Sequence, residues 1–116
     1  MFAIEAPEKL SKRAASVLQS PENLIEISAI SLAEIGIKFA GGKLRILPDR
    51  LKLAIEDMSL RVLPFTSAHA FELFSLPLHH RDPFDRQLIA QALAEDVPIV
   101  TPDAEFERYK DLEIIW

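Results

Sequence analysis

The sequence contains no cysteine, which excludes disulfides, thiolate metal sites and a cysteine nucleophile. Any metal must be held by carboxylate oxygen or imidazole. Glycine is scarce, with three in 116 residues. Two of them are the adjacent Gly41 and Gly42, and none falls in a GxGxxG or P-loop arrangement, so a glycine-built phosphate cradle is absent. No run approaches the ~20 apolar residues of a membrane span, and the first residues lack the basic and apolar stretches of a secretory signal. A cytoplasmic protein with no membrane partner is expected. Positive charge is also in deficit, 13 Lys and Arg against 18 Asp and Glu, a formal charge of −5. That balance weighs against gripping nucleic acid through bulk electrostatics. It leaves room for a small basic rim around an acidic centre, and it would welcome a basic peptide partner.

What is present is the composition of a compact protein, 49% hydrophobic and 27% charged, and the length suits one domain over residues 1–116. Ser11 caps a first helix with Ala14, Ala15, Val17 and Leu18 on its apolar face, ended by Ser20-Pro21-Glu22-Asn23. A strand is expected over Leu24 to Ser28. Ser31 then opens a second helix with Glu34 three residues on, the S-x-x-E capping box, and Gly41-Gly42 closes it. Pro48 starts a third helix with Leu51, Ala54, Ile55 and Met58 at core spacing, followed by a strand near Leu60 to Pro64. Thr66 or Ser67 caps a helix bearing Ala70, Phe71 and Phe74, an apolar face for the core or for a partner. Strands separated by helices predict a parallel sheet covered on both faces.

The stretch from His79 to Asp103 organises the rest. Asp82-Pro83 is a strong helix start, with Pro at the first helical position and Asp at the cap. Asp85 then lies in the first turn, where the helix dipole favours a carboxylate, and Leu88, Ile89 and Ala92 form a core-facing stripe. Val97 to Thr101 reads as a short buried strand, and Asp103 follows its carboxyl end, the side on which open α/β sheets bind ligands. Glu34, Asp85 and Asp103 are therefore candidates to converge as a carboxylate site for a hard cation such as Mg²⁺ or Mn²⁺, whose work would be phosphodiester hydrolysis. Each also has a plainer reading: Glu34 as the capping-box acid, Asp85 as a helix-terminus charge, Asp103 as the cap of a short helix. A site of His79, His80 and Asp82 for a transition metal is a further possibility, and Arg81, Arg86, Lys38 and Lys43 could line an RNA path.

Three motifs, Ser28 to Lys38, His80-Arg81-Asp82-Pro83-Phe84-Asp85-Arg86 with Leu88 to Ala92, and Val100-Thr101-Pro102-Asp103, together resemble the PIN-domain family, and more closely the VapC-type toxins of toxin–antitoxin pairs. The resemblance implies a three-layer α/β/α sandwich, Mg²⁺-dependent endoribonuclease chemistry, homodimerisation and a cognate antitoxin. It places the family's second, third and fourth acidic positions on Glu34, Asp85 and Asp103, and it matches Asp82 to a preceding aspartate best read as the helix cap. The family's first strand, ending in a further metal-binding aspartate, has no counterpart here: Phe2 to Leu10 resembles the stretch after it, and Glu5 is no substitute. The expectations that follow are a missing central strand, a weakened fold, weak cation affinity and impaired cleavage. The competing expectation is a catalytically inactive PIN-like module that binds an antitoxin or partner subunit.

Overall fold

The computed structural model describes residues 10–116. The expectations resting on Phe2 to Lys9, including that for Glu5, lie outside the described residues. Among the described residues, four short strands form two parallel pairs. Strand β1 (Glu26–Ser28) pairs with β2 (Arg61–Leu63), Ile27 opposite Val62. Strand β3 (Ile99–Val100) pairs with β4 (Ile114–Ile115), Ile99 opposite Ile114. Parallel pairing demands crossovers. The first is made by α2 (Ala29–Ala40) and α3 (Pro48–Asp57), the second by a 3-10 helix (Ala104–Arg108). Helices α1 (Lys12–Gln19), α4 (Ser67–Glu72) and α5 (Pro83–Glu95) complete the described elements, giving the helix-covered parallel architecture that alternating strands and helices predict. No described strand joins the two pairs. A cavity of about 290 Å³ borders both, with Ile25 and Glu26 on one side and Pro98, Val100 and Ile115 on the other.

Helix α5 is the centre of the packing. Leu88, Ile89, Ala90, Gln91 and Ala92 are all buried, so the middle of the helix is enclosed on every side rather than along the stripe its sequence suggests. Helices α2 and α4 lie against it, and Ile99, Phe106, Tyr109 and Leu112 complete the same core. The enclosed Gln91 amide donates to the Pro64 carbonyl at 3.1 Å and, longer, to that of Leu63, closing the end of β2. Buried His69 completes a capping box: Thr66 N–H donates to its Nδ1 at 3.0 Å, and its Nε2 meets Glu95 at 2.8 Å. This contact ties α4 to the end of α5.

Two apolar faces do not join the core. Phe71 and Phe74 are exposed, Phe74 by 86%, and stack on each other with ring centroids 5.6 Å apart. The inward positions of this segment belong instead to His69, Leu73 and Leu76. Helix α3 buries none of its residues. Its Leu51 and Ile55 face Leu32, Ile35 and Phe39 of α2 across a groove of about 260 Å³, so a pattern that looks core-facing is satisfied by one neighbouring helix.

Gly42 has φ +73°, the left-handed backbone that follows a helix end, and a Cβ there would meet no atom within 4 Å. Gly42→Ala should therefore cost backbone strain alone, about 1 kcal/mol, read as a fall of roughly 4 °C in melting temperature.

Candidate active site

The start of α5 follows directly from its sequence. Pro83 takes the first helical position and Asp82 caps the helix, its Oδ1 accepting the Asp85 N–H at 3.0 Å. Asp82 thus works as a cap, and Asp85 contributes only its backbone to that bond. The Asp85 side chain turns inward and is 11% exposed, one turn into the helix, where the positive end of the dipole favours its charge. Asp82→Ala should cost about 1 kcal/mol in a thermal melt, whereas Asp82→Asn, an equally good cap, should cost little.

His80 faces Asp85, with Nε2 3.4 Å from Oδ2. Its Nδ1 lies 2.8 Å from the hydroxyl of Tyr109, the residue that closes the 3-10 helix and buries its ring in the core. The Arg86 guanidinium donates to that hydroxyl at 3.1 Å, to Pro77 O at 2.8 Å and to Leu76 O at 3.2 Å, so it fastens the loop before α5 onto the helix. Arg86 is thereby engaged inside the protein, a correction to its place on an RNA path. His79 meets the edge of the Tyr109 ring at 4.8 Å. With Asp82 capping, His80 bonded at both nitrogens and His79 against a ring, the transition-metal arrangement is not formed.

Glu34 is freed from the role its spacing suggests. Helix α2 begins at Ala29 with Ser28 as its cap, Ser28 Oγ accepting the Ile30 N–H at 3.0 Å. Ser31 therefore lies inside the helix, its buried hydroxyl without a hydrogen-bond partner, and no capping box forms with Glu34. Glu34 pairs with Lys38 at 3.1 Å, one turn on, in the orientation that favours such pairs. Because α2 packs on α5, the element carrying Glu34 lies beside the one carrying Asp85.

Asp103 lies past the end of β3 and caps the 3-10 helix, accepting the Glu105 N–H at 2.9 Å while its own N–H donates to Thr101 Oγ1 at 3.2 Å. Its plain reading as a cap therefore holds. The short helix it starts is the one that delivers Phe106 and Tyr109 to His80. On that helix the Glu105 carboxyl is held below the usual carboxylate range, first by its hydrogen bond from Arg108.

The donors suit a hard divalent cation in kind, since such ions take carboxylate oxygens and Mg²⁺ is commonly held by one or two of them, with water and substrate phosphate completing the shell. Asp85, buried and aimed by its neighbours, fits that requirement best. Among the described residues no group of three His, Asp or Glu side chains is arranged to hold an ion. Of the surrounding residues, Tyr109 had no signal in the sequence. Its partner His80 lies 29 positions away, and the only hint is that it is the chain's single tyrosine.

The family model described as the PIN domain matches residues 1–112. Among solved structures, the chain is similar to VapBC2 from Rickettsia felis bound to a DNA fragment from their promoter, with a TM-score of 0.63 and 25% identity over 80% of this chain and 74% of that one. It shares its fold with DNA-bound VapBC from Salmonella typhimurium, with a TM-score of 0.59 and 24% identity over 77% of this chain and 72% of that one. A comparison with curated proteins finds no match. The motif order, the parallel strands crossed by helices and the family match over nearly the whole length agree, and this chain belongs to the PIN-domain family.

Proposed function

We propose that this protein is the VapC-type toxin of a toxin–antitoxin pair, a Mg²⁺- or Mn²⁺-dependent endoribonuclease acting as a homodimer and restrained by a cognate antitoxin. One observation carries the reading: a buried carboxylate, Asp85, stands at the head of the most enclosed helix, held toward a histidine rather than used as a cap. Structural likeness to VapBC complexes supports an antitoxin as the partner. The acidic balance of the chain complements the basic peptide such a partner would offer.

In this reading Asp85 is the principal cation ligand, with Glu34 and Asp103 as the further acidic groups. A bound divalent cation would neutralise charge at the scissile phosphate and acidify an attacking water. The chain's own part is to place the Asp85 carboxyl at a helix N-terminus, where the dipole favours negative charge, and to keep its neighbours in place. Arg81, exposed beside the cap, offers positive charge to an RNA backbone. Because the described residues gather fewer than three ligands about any point, cation affinity is expected to be weak and cleavage slow.

That same sparseness favours a second reading, an inactive PIN-like module that binds a partner, for which the stacked, exposed Phe71 and Phe74 offer surface. Mn²⁺ calorimetry on the purified chain separates the two. Heat that disappears in Asp103→Asn or Glu34→Gln as well as at Asp85 supports the nuclease, and absence of any heat in the parent chain supports the module.

A further inference from the structure

Arg86, Tyr109 and His80 form a directed chain of hydrogen bonds that ends on Asp85, and the direction follows from what each group can donate. A guanidinium has donors only, so the Tyr109 oxygen accepts from Arg86 Nη1 at 3.1 Å. The single phenolic proton is then available for His80 Nδ1, 2.8 Å away. An imidazole that accepts at Nδ1 carries its proton on Nε2, and that N–H points at Asp85 Oδ2, 3.4 Å away. The reverse tautomer would leave the Tyr109 phenolic proton with no acceptor in this chain of bonds and set two acceptors facing each other at Asp85. Arg86 is itself fixed by the carbonyls of Leu76 and Pro77, so the chain starts from an immobile point.

We propose that this relay is a positioning device: it selects the Nε2–H tautomer of His80 and so restrains the rotation of the Asp85 carboxylate for cation binding. The inference rests on the reading of Asp85 as a cation ligand. Groups that orient a ligand in this way commonly alter metal affinity 10- to 100-fold when removed. The 3.4 Å approach is long for a hydrogen bond, and contacts of this kind shorten once a site is filled. Tyr109, and Arg86 behind it, act on Asp85 through His80.

Tyr109→Phe is the decisive variant, because it removes one hydroxyl and keeps the buried ring. Nitrogen-15 NMR of the labelled parent chain should show His80 as the Nε2–H tautomer, and Tyr109→Phe should lose that preference. Calorimetry should find Mn²⁺ binding weakened by about 10-fold in Tyr109→Phe and in His80→Ala, and largely restored in His80→Gln, whose amide can donate from a similar place. The melting temperature of Tyr109→Phe reports any purely structural effect, and unchanged affinity in a variant that melts normally would overturn the proposal. So would an Nδ1–H tautomer in the parent, which needs no metal to observe. If Asp85→Asn removes binding while Tyr109→Phe and His80→Ala bind as the parent does, the relay falls and the ligand assignment stands. If Asp85→Asn binds as the parent does, or the parent gives no heat, the ligand assignment falls and the relay's function with it.

Discussion

Asp85→Asn is expected to abolish measurable Mn²⁺ binding and to lower RNA cleavage on the order of 100-fold or more, with the fold left in place. The substitution is close to isosteric. It keeps the backbone N–H that bonds Asp82 and keeps an oxygen able to accept from His80. What it removes is the negative charge, which is the property a hard cation needs. The helix loses the favourable placement of a carboxylate near its N-terminus, worth roughly 0.3–1 kcal/mol, so the melting temperature should fall by only a few degrees. Asp103→Asn makes the informative contrast. Asparagine caps as well as aspartate, so the 3-10 helix should persist, and any loss of cleavage would report charge alone. Cleavage by Asp85→Asn at the parental rate would remove the basis of the nuclease reading.

Phe106→Ala should be the most damaging substitution to stability. The ring is 1% exposed and lies within the core formed with Leu88, Ile89, Ile99 and Tyr109. Truncating a buried phenylalanine costs about 3–5 kcal/mol, from lost burial and from the cavity left behind. Domains of this size are stable by roughly 5–15 kcal/mol, so a fifth or more of the total would be lost. Urea denaturation should show a much lower midpoint with a similar slope, and Phe106→Leu should recover most of the difference. The ring also lies 6.4 Å from that of His80, centroid to centroid. Phe106→Ala should therefore disturb the setting of Asp85 even at temperatures where the chain stays folded.

Much of the architecture could be read from local signals, because those signals are chemically unambiguous. Asp82-Pro83 marks the start of α5, Pro48 the start of α3 and Ser11 the cap of α1, each at the residue observed, and of the two candidates Thr66 and Ser67 it is Thr66 that caps α4. Where two residues could do one job, local reasoning chose wrongly. Ser28 and Ser31 are both able caps, and the choice falls to Ser28 because β1 runs directly into it. The strands are shorter than their apolar runs, since pairing lasts only as long as a neighbour lies alongside, two or three residues here. Helix α5 ends at Asp96 with φ 53°, a left-handed turn made without glycine and so without the usual mark. The acidic candidates were legible as positions, and the plain reading survived for Asp103 as a cap. The setting of Asp85 was not, because Tyr109 and Arg86 reach His80 through tertiary packing that no spacing rule anticipates.

The enclosure of α5 limits how the protein could work. A side chain rooted near the head of a helix whose middle, Leu88 to Ala92, is wholly buried cannot be swung into place by a rocking segment, so there is little scope for a site assembled on demand by its substrate. Discrimination would have to act earlier, at the approach, through the loop of His79 and Arg81 and whatever the partner leaves uncovered. On this view an inhibitor would succeed by denying entry, and catalytic geometry would be the same whether the restrained or the released form were examined.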